Sequence, residues 1–178
     1  MLNKQRTGLM IVDVQGKLAG MMCDSESLLR QLRILIQGAT LLELPVVWIE
    51  QVPDKLGATR AEIADLIPGQ PLVKNTFNGM ANPVIAEAVQ AAGCDHWLVA
   101  GIESHICVYQ TVAGLCDAGY SVEVVTDAVS SRIETNRDLG VHKMEALGAQ
   151  RTSVEMVLME LQQVADGEVF RQLIKLIR

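Results

Sequence analysis

Three polar residues interrupt apolar segments at points where a buried reactive cluster could form. Asp13 follows the apolar run from Thr7 to Val12, Lys74 ends the short segment Leu72 to Lys74, and Cys107 lies in the sequence G-I-E-S-H-I-C. A carboxylate, an ammonium group and a thiol are groups that enzymes use as general base, electrostatic stabiliser and nucleophile. These residues therefore form a candidate catalytic site, provided that the fold brings them together.

Each of the three residues also has an ordinary structural interpretation. An arbitrary cysteine is most often a small buried hydrophobe, Asp13 could bond to nearby backbone, and Lys74 could be a solvated loop cation. Position favours the functional interpretation of Cys107, which is expected near the first turn of a helix. Backbone N–H groups and the helix dipole favour a thiolate there, so we expect a lowered thiol pKa, and a nearby lysine would lower it further.

Other catalytic patterns have weaker support in the sequence. The three histidines (His96, His105 and His142) show no spacing that pairs one of them with Cys107 as in cysteine proteases. Neither the spacing of a metal-binding motif nor the glycine-rich loop of a dinucleotide-binding or P-loop protein is found. We therefore expect no metal and no cofactor.

Composition and charge restrict the possible partners and the compartment. The chain has 178 residues, a formal net charge of -6 and 3% aromatic residues, with no basic cluster, so a nucleic-acid partner is not expected. No apolar run approaches the roughly 18 residues of a membrane span, and the apolar run near the N-terminus is too short for a signal peptide. The cysteines lie far apart, as free thiols of a cytoplasmic protein would: Cys23, Cys94, Cys107 and Cys116.

Short apolar runs alternate with helical patterns along the chain. Strands are predicted at 7–12, 45–49, 72–74, 96–100, 121–126 and 151–153. Helices are predicted at 25–44, 59–66, 83–92, 105–118, 134–147, 153–165 and 168–177. This alternation predicts one α/β domain over residues 1–178, a three-layer α/β/α fold with a doubly wound, mostly parallel, Rossmann-like sheet of six strands. The central strands are apolar throughout, as strands covered on both faces are.

Ligands of such sheets bind beyond the carboxyl ends of the strands. The polar residues at those ends are Asp13, Glu50, Gln51, Lys74, the segment 101–107, Thr126 and Asp127. The topology therefore predicts that the acid, the cation and the thiol converge on one edge.

The motifs around these residues resemble those of the isochorismatase-like cysteine hydrolases. The resemblance rests on I-V-D-V-Q around Asp13, L-V-K-N-T-F around Lys74 and A-G-I-E-S-H-I-C-V around Cys107, and the order of elements matches over nearly the whole chain. Two further stretches, V-V-T-D-A-V-S-S-R (124–132) and T-S-V-E-M-V-L-M-E-L (152–161), are most similar to the subgroup of isochorismatase domain-containing proteins.

The resemblance implies a catalytic triad. Asp13 would be the base, Lys74 the electrostatic partner and Cys107 the nucleophile. It further implies a cis peptide bond between Ile102 and Glu103, with the backbone N–H groups of Glu103 and Cys107 forming an oxyanion hole. The expected activity is hydrolysis of a small amide, carbamoyl or related acyl compound through a Cys-acyl thioester.

Differences between this sequence and better-known members of the family restrict the class of substrate that we expect. Nicotinamidases bind a metal through an Asp and paired His residues after the second strand, whereas Trp48 to Gly57 contains no His. Isochorismatase proper has an Asp at the position of Cys107. Nicotinamide, a metal and a vinyl-ether substrate are therefore disfavoured. Residues that could line the pocket for a small-molecule substrate are Gln15, Glu50, Gln51, Phe77 and Tyr109.

Two alternatives stay open at this point. The chain could be a non-catalytic oligomeric scaffold of the same fold, or a redox-responsive protein whose thiol is oxidised rather than acylated. Because the relatives are oligomeric and the C-terminal helices are apolar, we expect a homo-oligomer.

Overall fold

Six strands form a single sheet in which every neighbouring pair is parallel. The computed structural model describes all 178 residues. The strands are β1 (Thr7–Val12), β2 (Val46–Gln51), β3 (Leu72–Lys74), β4 (His96–Ile102), β5 (Ser121–Ser130) and β6 (Gln150–Thr152). Their order is β3-β2-β1-β4-β5-β6. The direction of winding reverses between β1 and β4, which confirms the predicted doubly wound sheet and marks this junction as its switch point.

Nine α-helices connect or flank the strands. They are α1 (Gly16–Ala19), α2 (Ser25–Leu41), α3 (Pro53–Leu56), α4 (Ala61–Ala64), α5 (Pro83–Ala91), α6 (Tyr109–Asp117), α7 (Glu134–Ala146), α8 (Val154–Gln162) and α9 (Gly167–Ile177). A 3₁₀ turn lies at Gly79–Ala81, and a π-helical turn at Ser104–Val108 precedes α6. None of the helices is long and apolar enough to cross a membrane.

The sheet separates two apolar clusters, which gives the predicted three-layer architecture. Helices α2, α8 and α9 contribute to one cluster, and α5, α6 and α7 contribute to the other. Successive residues of β1 alternate between the clusters: Leu9 and Ile11 belong to the first, and Met10 and Val12 to the second. Because both faces are covered, the strand is apolar from Gly8 to Val12.

The predicted boundaries differ most where polar side chains find partners that are distant in sequence. β5 continues to Ser130 instead of ending near Thr126, because Val129 and Ser130 pair with Gly101 and Ile102 of β4. Between these two parts of the strand, Thr126 Oγ1 donates to the Thr152 carbonyl and Asp127 accepts from the Val154 N–H. The four-residue helices α1 and α3 were not predicted, since segments this short carry little periodicity.

Gly101 allows β4 to approach β1 closely just before the cysteine motif. Its φ is +120°, and a Cβ atom there would meet the backbone of Val12. Glycine alone combines this conformation with the missing side chain. The residues that follow Gly101 therefore begin directly beside the end of β1, where Asp13 lies.

Replacing Gly101 by Ala should be costly. We expect Gly101→Ala to lower the free energy of unfolding by about 3 kcal/mol or more, from backbone strain and overlap with Val12. Gly119→Ala is the matched control, because Gly119 also has a positive φ (+88°) but faces open space; it should cost about 1 to 2 kcal/mol. Urea unfolding of both variants measures the difference, and equal losses would contradict the close approach.

Candidate active site

The ends of three strands bring Asp13, Lys74 and Cys107 together. Asp13 follows β1, Lys74 is the last residue of β3, and Cys107 lies in the π-helical turn after β4. Lys74 Nζ donates to Asp13 Oδ2 at 2.7 Å and to Gln51 Oε1 at 2.5 Å. The Cys107 Sγ atom lies 3.9 Å from the same Gln51 oxygen. The thiol also interacts with Asp13 and Lys74, so all four side chains form one cluster.

The cluster is buried, although two of its side chains, Asp13 and Lys74, carry opposite charges. Asp13 is 3% exposed, Lys74 2% and Cys107 7%. Charged residues are almost never fully buried unless they are paired. The ion pair therefore holds the ends of β1 and β3 together across β2, and the thiol lies beside it.

The protonation of the thiol differs from the sequence-based expectation. Burial raises the pKa of Cys107 to about 12, the negative charge of Asp13 acts in the same direction, and Lys74 opposes both only in part. The expected lowering of this pKa is therefore wrong. Cys107 precedes α6, which begins at Tyr109, and loss of water outweighs the helix dipole. The resting Cys107 side chain is therefore a neutral thiol, which would need a base to become a thiolate.

Asp13 is placed to be that base. Burial raises the pKa of its carboxyl group, and the Lys74 ammonium opposes this effect. One carboxylate oxygen, Oδ2, accepts from Lys74, whereas the buried Oδ1 atom has no hydrogen-bond partner. A buried acceptor without a donor is costly, so Oδ1 is available to take a proton from a neighbouring group.

The turn that carries Cys107 is anchored to the end of β5. The peptide bond between Ile102 and Glu103 is cis. Three contacts connect the turn to the strand end: the Arg132 N–H and Nε donate to Glu103 Oε1, Ser104 Oγ donates to the Ser130 carbonyl, and His105 Nδ1 pairs with Ser131 Oγ. The roles of Ser130, Ser131 and Arg132 were not recognised in the sequence, although V-S-S-R was noted as a motif.

Two of the predicted pocket residues stabilise backbone instead. Gln15 is completely buried, and its amide bonds to the backbone of Gln51 and to the Gly57 carbonyl. The Glu50 carboxylate accepts from the Thr59 N–H at 2.6 Å and from Thr59 Oγ1 at 2.7 Å. Both side chains fix the segment after β2.

Of the other three predicted pocket residues, one lies within the cluster of Asp13, Lys74 and Cys107 and two lie elsewhere. Gln51 lies within the cluster and touches Lys74 and the thiol. Phe77 is 55% exposed, outside the cluster. Tyr109 is half-buried, packs against the second apolar cluster and carries the Lys143 ammonium 4.6 Å from its ring centroid.

A surface cavity of about 430 Å³ borders the cluster on the side of β3. Lys74 lines it together with Val52, Asn75 and Asn82. A larger cavity of about 520 Å³ lies between the residues before β1 and the start of α9, away from the cluster. No group of three or more His, Cys, Asp or Glu side chains is arranged to hold a metal ion.

The chain thus combines a parallel α/β sheet with a buried Asp, Lys and Cys at the carboxyl edge of that sheet. The model of the isochorismatase domain matches residues 7–156. The chain therefore belongs to the isochorismatase family of hydrolases.

Individual proteins are similar to this chain in sequence or in fold. The secreted isochorismatase effector Isc1 of Phytophthora sojae is 33% identical over 176 residues, which cover 96% of this chain and 83% of that protein. The MAR1 ribonuclease structure from Caenorhabditis elegans has a TM-score of 0.91 and 31% identity, over 99% of this chain and 91% of that one. The structure of YcaC from Pseudomonas aeruginosa, with hexane-2,5-diol and covalent acrylamide, has a TM-score of 0.92 and 25% identity, over 98% and 90%.

The ion pair predicts a strong dependence of stability on Lys74. Lys74→Met leaves the Asp13 carboxylate buried without a counter-charge, so we expect a loss of about 3 to 5 kcal/mol in unfolding free energy at neutral pH. The double variant Asp13→Asn/Lys74→Met removes both charges and should lose clearly less. Chemical denaturation at pH 7 measures Lys74→Met, Asp13→Asn and the double variant, and a double variant that loses the sum of the two single losses would contradict the pairing.

Proposed function

We propose that the chain hydrolyses a small amide, carbamoyl or related acyl compound through a thioester on Cys107. One observation carries the proposal: a buried Lys74–Asp13 ion pair lies beside the Cys107 thiol at the carboxyl edge of the sheet. Acyl transfer needs a base for the thiol proton and a positive charge for the oxyanion, and these residues would supply both.

The first half of the reaction forms the acyl-enzyme. Asp13 takes the proton of the Cys107 thiol while sulfur attacks the carbonyl carbon, and the electron pair of the C=O bond moves to oxygen. The N–H groups of Glu103 and Cys107 are proposed to stabilise that oxygen. When the tetrahedral intermediate collapses, the C–N bond breaks and Asp13 returns the proton to the departing amine.

The second half releases the acid. Water loses a proton to Asp13 and attacks the thioester carbonyl, and the C–S bond then breaks. The sulfur recovers a proton from Asp13, which restores the neutral thiol. The net reaction is amide plus water to carboxylic acid plus amine, with no other reactant. Lys74 keeps its charge throughout and stabilises each anionic species.

The Pseudomonas YcaC structure, with 25% identity to this chain, gives further support. It contains covalent acrylamide, an electrophile that reacts with nucleophilic side chains. A nucleophile of the same kind is proposed here at Cys107, because it is the cysteine that adjoins both a carboxylate and an ammonium group.

A Cys107→Ser variant tests the proposal directly. A screen of primary amides and carbamoyl compounds first identifies a substrate of the wild type. For that substrate, we expect kcat/KM of Cys107→Ser and of Asp13→Asn to be lower than that of the wild type by about a thousandfold or more. Cys116→Ser is the matched control and should retain full activity, since Cys116 lies at the far end of α6. Product release is measured by mass spectrometry, with acyl-enzyme detected on the intact protein.

The pH dependence gives a second test. Because burial raises the pKa of Cys107 to about 12, the thiol should add no inflection to kcat/KM below about pH 10. Activity should rise with pH on the acidic side as the Asp13 carboxyl group loses its proton. An inflection of the wild-type kcat/KM near pH 8.5, matched by the pH dependence of Cys107 alkylation, would contradict the neutral-thiol mechanism.

Three other outcomes would overturn the proposal. Reversible oxidation of Cys107 without turnover of any amide would favour the redox-responsive protein. A well-folded protein with neither property would favour the scaffold. Cleavage of RNA that is unaffected by Cys107→Ser would point instead to the activity named for the nematode protein, although the net charge of -6 disfavours a polyanionic substrate.

A further inference from the structure

The Gln51 side chain contacts two of the three catalytic candidates, Lys74 and Cys107. It ends β2, which lies between β1 and β3 in the sheet. Its side-chain oxygen accepts from Lys74 Nζ at 2.5 Å and lies 3.9 Å from Cys107 Sγ. A single buried oxygen atom therefore contacts both the ammonium group and the thiol.

The orientation of the Gln51 amide is fixed at both ends. Its Nε2 atom donates to the Asn75 carbonyl at 3.1 Å. A carbonyl oxygen can only accept and an ammonium group can only donate. Asn75 and Lys74 therefore require the same orientation, with the amide oxygen directed at Lys74 and Cys107.

A second amide fixes the backbone of Gln51. The Gln51 N–H donates to Gln15 Oε1 at 2.7 Å, and Gln15 Nε2 donates to the Gln51 carbonyl at 3.1 Å and to the Gly57 carbonyl at 2.6 Å. Gln15 is completely buried, and Gln51 is 7% exposed. Both the main chain and the side chain of Gln51 are therefore fixed by partners other than Lys74.

We propose that Gln51 is a positioning residue that holds the Lys74 ammonium beside the Cys107 sulfur by means of an acceptor without charge. This inference rests on the proposed function, since it concerns the same cluster. Asp13 alone could neutralise Lys74, but it would hold the ammonium at the carboxylate. The amide oxygen gives Lys74 a second anchor, on the side of the thiol.

The absence of charge on this acceptor matters because the thiol already faces one carboxylate. The charged groups around it are Asp13, which follows β1, and Lys74, which ends β3, while Glu50 from β2 acts on Asp13. The Glu103 carboxylate of the π-helical turn is paired with Arg132. A second carboxylate at position 51 would oppose formation of the thiolate, whereas an apolar residue would release Lys74 toward Asp13.

The test is the rate of alkylation of Cys107 by iodoacetamide, resolved by peptide mass spectrometry and measured against pH. At about pH 9, Gln51→Glu should react about tenfold more slowly than the wild type, because one unit of thiol pKa changes the thiolate fraction tenfold. Gln51→Met should also be slower, by about threefold or more, because Lys74 withdraws. Gln90→Glu, at an exposed position of α5, is the matched charge control and should react within about twofold of the wild type.

The direction of the change separates positioning from a merely structural role. A variant whose site has loosened exposes the buried thiol and reacts faster at every pH, and that result for both Gln51 variants would overturn the inference. Thermal unfolding of each variant shows whether the fold is retained. If Gln51→Glu does not fold, Gln51→Met alone tests the inference, because the inference still requires slower alkylation of Cys107 in that variant.

Lys74→Met distinguishes failure of this inference from failure of the proposed function. If Lys74→Met slows alkylation while the Gln51 variants match Gln90→Glu, the role of Gln51 is refuted and the catalytic cluster stands. If Lys74→Met leaves the alkylation rate of Cys107 unchanged, the cluster has no electrostatic effect on the thiol. The positioning role of Gln51 and the proposed function are then both refuted.

Discussion

The buried ion pair between Lys74 and Asp13 is the interaction on which the site depends. Removing two charges from water costs several kcal/mol for each, and only close pairing with further hydrogen bonds compensates for it. Here the pair lies at 2.7 Å, and Gln51 supplies the additional acceptor. The sheet makes this possible, because the parallel order β3-β2-β1 places the carboxyl ends of three successive strands side by side.

The same burial determines the protonation state of the Cys107 thiol. A thiol between a carboxylate and an ammonium group in a dry environment stays neutral, because desolvation and Asp13 outweigh Lys74. Such a thiol is protected from adventitious oxidation, since reactivity follows thiolate character and exposure. In the proposed mechanism the thiol becomes reactive when Asp13 accepts its proton.

Sequence reasoning located the cluster because Asp13, Lys74 and Cys107 each end or follow an apolar strand, where a charge or thiol is conspicuous. It did not resolve the roles of Gln15 and Gln51, because polar residues at strand ends are equally typical of a ligand pocket and their mutual bonds join positions 36 residues apart. It also gave the wrong direction for the thiol pKa. Helix position can be inferred from sequence, whereas the degree of desolvation depends on packing by all the surrounding elements.

The pairing of a buried Lys74 ammonium group with Asp13 can be measured by ¹⁵N NMR of the side-chain nitrogens in protein labelled at lysine, recorded near neutral pH. We expect one protonated Nζ resonance whose hydrogens exchange far more slowly than those of exposed lysines. This resonance should be absent in Lys74→Met and shifted in Asp13→Asn. A Lys74 resonance whose hydrogens exchange like those of the surface lysines, or whose position is unchanged in Asp13→Asn, would contradict the buried ion pair.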